Sequence, residues 1–352
     1  MRIGLVGVGR IGAFHAETLA ALPSVKSVLV ADADAARAAA VAAALGIRAV
    51  PDLAELFDSG IDALVITAAT AAHADLIARG VTAGLPTFCE KPIALELAPT
   101  EQLVDLVEAS TVPVQMGFQR RFDAGYREVA RAVAAGELGF LHHVVATTGD
   151  AAPPSADYLR TSGGFFRDCS VHDFDAIRFV TGREVVGVFA VGANLGDAFF
   201  TEVDDIDAAA ALLTLDDGTL VTVTGTRYNA AGYDVRMEVL GSLGSVAVGL
   251  DEHSPLRSAE PGTMFPTGPA HPAFMQRFRA AYLAELAAFT EVVAGTRQTP
   301  CSVRDALEAF KVAEACDRSR REHRQVQLWE LSNDTADSLT GPTPSRPLTA
   351  IT

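Results

Sequence analysis

A chain of 352 residues is long enough for two domains that each bury a core, and its hydrophobic content of 49% is that of a globular protein. A net charge of −16 argues against nucleic acid or an anionic membrane surface as a partner. No apolar run approaches the roughly 20 residues that span a bilayer, and the cysteines lack zinc-like spacing, so we expect a cytoplasmic protein without a metal.

Short apolar runs alternate with alanine-rich helical runs along the first third of the chain. The predicted strands read RIGLVGV, VKSVLVADAD, DALVITAA, PTFCEKP and VPVQMGFQ, and each of the first four precedes a segment of helical periodicity. Such alternation is typical of a parallel sheet that carries helices on both faces. We predict a doubly wound α/β Rossmann domain over residues 1–122.

After residue 122 the chain changes to strand-like segments in which apolar residues recur at every second position. The sequence DDG at 216–218 separates two of these segments and predicts a hairpin. Helices are predicted over 123–135, 274–294 and 303–321. We therefore expect an α+β domain with a large, mainly antiparallel sheet over residues 123–330, and a disordered polar tail over 331–352.

The sequence GVGRIG places Gly7, Gly9 and Gly12 in GxGxxG spacing, directly after the first predicted strand and at the start of a helix. The spacing alone is weak, and a glycine turn can serve packing only. Its position between a strand and a helix favours a nucleotide site, because the glycines allow a tight turn and a close approach of a pyrophosphate to helix N–H groups.

The second predicted strand ends at Asp32, twenty residues after Gly12. A carboxylate at this place accepts hydrogen bonds from the adenine-ribose hydroxyls and repels a 2′-phosphate, so NAD is predicted rather than NADP. Asp34 adds a second negative charge, whereas Arg37 is the one nearby cation that weakens this interpretation.

The segment SGGFFRDCSVHDFDAIRFV contains Asp168, His172 and Asp175 at i, i+4 and i+7. On an α-helix these three side chains lie within roughly 60° of one another. Two interpretations are open. The residues form an acid–base group in a site, or Asp168 caps the helix and His172 is an ordinary half-buried histidine.

Further motifs indicate a family. Glu90-Lys91-Pro92 follows the fourth predicted strand, GFQRRFD occupies residues 117–123, and Asp168 precedes His172 by one helical turn. With the glycine motif, this set resembles the Gfo/Idh/MocA oxidoreductases, and most closely the inositol 2-dehydrogenases among them. The resemblance extends from residue 1 to about residue 330 and implies a homotetramer built through the outer face of the second sheet.

The resemblance also implies catalytic roles at a cleft between the domains. Lys91 would hydrogen-bond the reacting hydroxyl, His172 would accept its proton, and Asp168 would position the substrate and the imidazole. The cofactor-binding residues would be Gly7, Gly9, Arg10, Ile11, Gly12, Asp32, Thr67, Ala68, His73, Glu90 and Lys91. The substrate would contact Lys91, Gln119, Arg121, Asp150, Tyr158, Asp168, His172, Asp175 and Tyr233. For Asp175 an alternative is open, in which it only orients His172.

Two positions depart from the family pattern. Ala69 replaces a proline in the loop beneath the nicotinamide, and Ala231 replaces a tyrosine that would contact the sugar ring. Tyr233 or Tyr228 could supply the missing contact. His73, near the first departure, is expected to be a structural or cofactor-side residue and not a catalyst.

The sequence therefore predicts an NAD-dependent enzyme that oxidises a secondary hydroxyl of a cyclitol or sugar, including amino sugars, with His172 as base. Two alternatives share the fold: a redox-neutral glycosidase that retains NAD, and a non-catalytic sugar-sensing regulator. Lys91, Asp168 and His172 argue against the regulator, because a sensor needs no proton-transfer pair. The expected partners are a small polyol and further copies of the chain.

Overall fold

The computed structural model describes residues 1–331, and the first half of that range forms a parallel sheet of six strands in the order β3-β2-β1-β4-β5-β6. Its strands are β1 Arg2–Val6, β2 Ser27–Ala31, β3 Arg48–Ala49, β4 Ala63–Ile66, β5 Thr87–Glu90 and β6 Val114–Gly117. Every pairing in this sheet is parallel, which confirms the predicted doubly wound topology.

Five helices connect these strands within the described part of the chain. They are α1 Arg10–Ala21, α2 Ala35–Leu45, α3 Leu53–Asp58, α4 His73–Thr82 and α5 Leu97–Glu108. All four residues of β4 are buried, because helices cover both faces of the sheet, and this explains the uninterrupted apolar sequence of that strand. The carboxyl ends of the strands, where open α/β sheets bind ligands, point toward the second half of the chain.

A second sheet, of seven strands among the residues that the structure describes, has the order β12-β11-β7-β10-β9-β8-β13. Its strands are β7 Leu141–Gly149, β8 Val185–Ala193, β9 Ala208–Leu215, β10 Leu220–Thr226, β11 Asp234–Gly241, β12 Ser245–Val248 and β13 Val326–Gln327. The pair β7–β10 is parallel and its neighbours are antiparallel, so the predicted mainly antiparallel sheet is confirmed. The predicted hairpin joins β9 to β10, where Gly218 adopts a φ of 89°.

The helices of the second half are α6 Ala124–Ala134, α7 Ala156–Ser162, α8 Val171–Thr181, α9 Phe199–Glu202, α10 Phe274–Arg277, α11 Arg279–Val293 and α12 Val303–Glu322. The helix predicted over 274–294 is interrupted at Phe278, whose side chain is fully buried. No helix within residues 1–331 is long and apolar enough to cross a membrane.

Helix α11 returns to the first sheet. Leu286 and Phe289 are fully buried and belong to the same core cluster as Ile3 and Val30 of strands β1 and β2. The helix therefore attaches the second half of the chain to the nucleotide half. The predicted boundary at residue 122 stays a prediction, and the predicted tail lies outside the described residues apart from Leu331.

Candidate active site

The glycine turn after β1 is shaped by close contacts on one side and open space on the other. Gly7 has a φ of 91°, and a Cβ there would lie 2.5 Å from the Cα of Ala68. A Cβ at Gly12 would lie 1.9 Å from the carbonyl oxygen of Gly7, whereas one at Gly9 would meet nothing within 4 Å. Gly7 and Gly12 are therefore needed for the turn itself, and Gly9 leaves room for a ligand to approach the backbone.

Helix α1 begins at this turn without a side-chain cap from Gly9, so its first N–H groups remain available to an anion. Arg10 is exposed at this end and lies over the ring of Phe274, 5.0 Å from its centroid. Ile11 packs partly buried against the core. The turn and the helix terminus together fit the pyrophosphate of a dinucleotide.

Asp32 is held at the end of β2 by the same glycine turn. Its Oδ2 accepts a hydrogen bond from the N–H of Val8 at 2.7 Å, and its Oδ1 accepts one from the N–H of Asp34 at 2.8 Å. The guanidinium of Arg37 lies 3.6 Å from Asp32 and 3.3 Å from Asp34. Arg37 is thus engaged by the two carboxylates, and Asp32 remains the acid that follows β2, where the sequence predicts the adenine ribose.

The predicted cofactor residues of the next loop hold the backbone. The hydroxyl of Thr67 donates to the carbonyl oxygen of Gly7 at 2.6 Å. His73 places Nδ1 2.7 Å from the Pro92 carbonyl and Nε2 3.0 Å from that of Ala68. Burial lowers the pKa of His73, so the neutral ring donates to one of these carbonyls. Thr67 and His73 therefore position the loops on either side of the cofactor site.

Glu90, another predicted cofactor residue, is turned toward helix α1. Its Oε1 lies 2.7 Å from Nε2 of His15, which is fully buried and packs edge-on against Phe88 at 5.7 Å between ring centroids. Tyr282 of α11 lies on another side of the imidazole at 5.7 Å. This bond ties the residue before Lys91 to the helix of the glycine motif, and sequence patterns gave no signal for His15 or Tyr282.

The segment before α8 is not a regular α-helix. Residues Phe166–Ser170 form a π-helix that runs into α8 at Val171. A π-turn inserts an extra residue, and such turns are frequent at functional sites. The expectation that Asp168, His172 and Asp175 share one stripe of an α-helix is therefore wrong. The π-turn leaves Asp168 in the cleft, whereas Asp175 points away from it.

Asp168 is the most heavily bonded acid of the cleft. Its Oδ1 accepts from the hydroxyl of Tyr158 at 2.7 Å and lies 3.4 Å from Nζ of Lys91, and its Oδ2 accepts from Nη2 of Arg227 at 2.8 Å. Nζ of Lys91 also donates to the backbone carbonyl of Asp168 at 3.0 Å. Burial alone would raise the pKa of this carboxyl, but Lys91 and Arg227 hold the pKa at about 2.

His172 lies beside this cluster without bonding to it. Its ring packs edge-on against Phe118 at 5.7 Å, and its buried Nδ1 has no hydrogen-bond partner within residues 1–331. Burial, then Lys91 and Arg120, lower the pKa of His172 well below its usual value, so the imidazole is neutral and able to accept a proton. The expectation that Asp168 positions the imidazole needs correction, because the carboxylate bonds to Lys91, Tyr158 and Arg227 instead.

Asp175 and Arg121, both predicted to contact substrate, form a buried ion pair. Nε of Arg121 donates to Oδ2 of Asp175 at 2.9 Å and Nη2 donates to Oδ1 at 2.7 Å. Asp175 is 1% exposed, and Arg121 also lies 3.1 Å from Asp305. The pair connects the crossover from the first domain to α8 and α12. The structure shows each of these side chains bonded to the other, and their predicted contacts with substrate stay predictions.

Arg120 is the arginine of the crossover whose charge helps to lower the pKa of His172. Its guanidinium bonds to Asp173, and its Nη2 donates to Thr148 at 3.1 Å. The sequence prediction named its neighbour Arg121, because the sequence does not distinguish the surroundings of two adjacent arginines. Gln119 and Tyr233, the other predicted substrate residues of this region, are only 3% and 8% exposed, and burial raises the pKa of the Tyr233 hydroxyl.

Asp150 follows β7 and accepts a hydrogen bond from Nη1 of Arg227 at 2.9 Å. Burial raises the pKa of Asp150, and Arg227 opposes the rise. Tyr228, one candidate for the missing ring contact, instead donates its hydroxyl to Asp197. Of the predicted residues, the structure thus brings together Lys91, Asp150, Tyr158 and Asp168 in one bonded cluster, with His172 next to it.

Comparison with known proteins gives matches over nearly the whole described chain. Residues 1–118 match a family model described as an oxidoreductase family with an NAD-binding Rossmann fold, and residues 126–247 match the GFO/IDH/MocA C-terminal domain. The myo-inositol dehydrogenase Hyg17 of Streptomyces leeuwenhoekii is 39% identical over 91% of this chain and 97% of its own.

Two solved structures extend the likeness to the fold. A myo-inositol dehydrogenase from Corynebacterium glutamicum has a TM-score of 0.85 and 35% identity, and covers 93% of this chain and 98% of its own. A scyllo-inositol dehydrogenase from Lactobacillus casei, solved with NAD(H) and scyllo-inositol, has a TM-score of 0.83 and 28% identity over 93% of this chain and 99% of its own.

Proposed function

Because the chain belongs to the Gfo/Idh/MocA family of NAD-binding oxidoreductases, we propose that it oxidises a secondary hydroxyl group of a cyclitol. The observation that carries the proposal is the meeting of three groups in one buried cleft. A lysine ammonium, an ionised aspartate and a neutral histidine lie together at the carboxyl end of β5 and the start of α8. The inositol dehydrogenases among its relatives favour a cyclitol over an open-chain polyol.

When bound, NAD supplies the acceptor for the hydride. Residues of the chain remove the proton of the reacting hydroxyl. The imidazole of His172 takes the proton of the reacting hydroxyl, since its lowered pKa keeps it unprotonated at neutral pH. The ammonium of Lys91 donates a hydrogen bond to the same oxygen and stabilises the negative charge that develops there. Asp168 orients that ammonium, because it accepts from Nζ through both its side chain and its backbone carbonyl.

Two other side chains suit a polyhydroxylated ring. Tyr158 is 46% exposed at the mouth of the cleft and donates its hydroxyl to Asp168, and Asp150 presents a carboxylate beside it. The carboxylate of Asp150 and the phenol oxygen of Tyr158, whose proton is donated to Asp168, supply acceptors for ring hydroxyls. We therefore keep both residues as substrate contacts, together with Lys91, Asp168 and His172.

The test is a panel of myo-inositol, scyllo-inositol and common aldoses, with NAD and with NADP, followed as NADH or NADPH at 340 nm. We expect turnover with at least one inositol and a preference for NAD. Lys91→Met should abolish turnover, whereas Lys311→Met, which removes a lysine of α12 paired with Glu308, should not. Absence of reduced cofactor with every cyclitol would overturn the proposal, and NAD-dependent cleavage of an aryl glycoside would then favour the glycosidase.

We also infer a homotetramer, from the outer face of the second sheet. Phe189 of β8 and Leu212 of β9 are directly paired across the sheet and are 40% and 58% exposed. Val191 and Leu220 continue the apolar surface on β8 and β10, at 49% and 53% exposure. Contiguous apolar surface on an open sheet indicates an interface, and a second copy of the chain is the occupant we propose.

Leu212→Glu places a charge at the centre of this surface, so we expect a smaller assembly than that of the wild type. Leu106→Glu is the matched control, since Leu106 is 44% exposed on α5 of the first domain. Mass measurement by light scattering at micromolar concentration distinguishes the species. A monomeric wild-type chain would refute the inference.

A cytoplasmic location is proposed from the cysteines. Cys89, Cys169, Cys301 and Cys316 are all buried and free of disulfides. Free thiols of this kind are typical of a reducing compartment. Fractionation of cells that express the chain tests the location, and recovery in an oxidising compartment would refute it.

A further inference from the structure

Arg227 occupies a place in the cleft that no sequence motif indicated. It is the residue after β10, and Asp150 is the residue after β7. These strands are parallel neighbours in a register that pairs Thr226 with Gly149, so the two side chains leave the same edge of the sheet together. The N–H of Asp150 donates to the carbonyl of Thr226 at 2.9 Å, which fixes this alignment.

The guanidinium of Arg227 is buried among residues of the second domain. It is 4% exposed and lies over the ring of Phe165, 5.1 Å from its centroid. Nη1 bonds to Asp150 at 2.9 Å and Nη2 bonds to Asp168 at 2.8 Å. The guanidinium of Arg227 therefore bridges Asp150 and Asp168 from within the second domain, while Lys91 contacts Asp168 from the first domain.

The surrounding charges are close to balanced. Arg227 faces Asp150, Asp168 and the thiol of Cys169, and Asp205 lies near enough to interact electrostatically. Asp168 faces Lys91 and the hydroxyl of Tyr158 in addition. Without Arg227, Lys91 would be the single cation against two or three buried carboxylates, and one of those acids would have to take up a proton.

Resting on the proposed function, we propose that Arg227 is a positioning residue that keeps Asp168 ionised and aligned, so that Lys91 is presented to the reacting hydroxyl. It touches neither substrate nor cofactor in this role. It acts on the reaction only by holding the carboxylate of Asp168. It also holds Asp150, because the two Nη atoms of one guanidinium bond to the two carboxylates and so fix the distance between them.

The first test is the pH profile of kcat/KM for Arg227→Met. Loss of a cation beside a carboxylate raises the pKa of that acid by roughly one to three units. Protonation of Asp168 should then add to that of His172, so the acid limb of the variant should begin at a higher pH than that of the wild type. Arg227→Lys, which can satisfy only one carboxylate, should give a smaller shift. The affinity for NAD should stay within about threefold of the wild type. An acid limb of Arg227→Met at the wild-type position would overturn the proposal.

The control is Arg178→Met. Arg178 is similarly buried on α8, where its side chain is 9% exposed, and it pairs with Glu184 and Asp305 away from the cleft. This variant loses a comparable ion pair, so its melting temperature should fall while its acid limb stays in place. A shift equal to that of Arg227→Met would show that general destabilisation, and not the charge at Asp168, moves the limb.

A second test does not require activity, so it separates this proposal from the proposed function. Asp168→Asn should lower the melting temperature of the wild-type chain, because it removes a well-paired anion. In the Arg227→Lys or Arg227→Met background the same change removes a poorly paired buried anion, so the loss should shrink or become a gain. An equal loss in every background would refute the coupling, even if no cyclitol proved to be a substrate.

Discussion

Replacement of His172 by alanine tests the proposed base directly. The imidazole forms no hydrogen bond to another side chain in the described part of the chain, and its ring packs edge-on against Phe118. Such ring pairs contribute about 1 kcal/mol. The variant should therefore remain folded, with a small decrease in melting temperature and with unchanged binding of NAD.

The catalytic loss should be much larger than the loss of stability. A positioned general base contributes roughly 10²–10⁴ in rate, which is about 3–5 kcal/mol of transition-state stabilisation. In the wild type, the lowered pKa of His172 keeps the imidazole neutral, so kcat/KM should be constant from neutral pH upward and should decline only well below pH 6.5. The part of that decline that protonation of His172 causes should disappear in His172→Ala.

The assay is the initial rate of NADH formation with the preferred cyclitol, measured between pH 5 and pH 9 at saturating NAD. His142→Ala is the matched control, because His142 is exposed on β7 and distant in sequence from the cleft residues of α8. If folded His172→Ala kept more than about a tenth of the wild-type turnover, the histidine would not be the base.

Three further predictions concern charge. Asp168→Asn should lower the free energy of unfolding by about 2 kcal/mol at pH 7. In the folded state the pKa of Asp168 is lowered from 3.8 to about 2, so its charge stabilises the fold above pH 3.8, and this stabilisation is lost as the pH falls from 3.8 to about 2. Denaturant titrations should show that the difference in unfolding free energy between wild type and Asp168→Asn becomes smaller below pH 5. A difference that stays the same at every pH would contradict the lowered pKa of Asp168. Asp32→Asn keeps an acceptor for Val8 but loses its charge, so kcat/KM with NADP should rise relative to NAD; an unchanged ratio would exclude Asp32 as the discriminator. Glu285 is fully buried, burial raises its pKa, and both its oxygens lack partners within residues 1–331, so it destabilises the fold as pH rises above its unfolded value. Glu285→Gln should therefore raise the melting temperature more at pH 8 than at pH 5, and an equal change at both would argue against a buried acid.

Local sequence determined the nucleotide half of the protein. The order of strand, glycine turn, helix and second strand ending at Asp32 depends on residues within a short stretch of chain, where turn geometry and periodicity dominate. The structure adds the reason for a glycine at position 12, since a side chain there would collide with the carbonyl oxygen of Gly7. The family motifs placed Lys91, Asp168 and His172 in one cleft for the same reason: each motif is local and chemically distinctive.

Tertiary structure decided which charges meet. Arg121 is 54 residues from Asp175 in the sequence, and Arg227 is 59 residues from Asp168. Helix and strand periodicity predicts contacts only between residues that are close in the sequence, so it cannot predict these ion pairs. Packing also decides that Arg120 pairs with Asp173 whereas its neighbour Arg121 pairs with Asp175. The π-turn at Phe166–Ser170 separated Asp175 from Asp168, since one inserted residue rotates every later side chain. Buried charges find partners only when distant elements pack together, and the packing is a property of the whole fold.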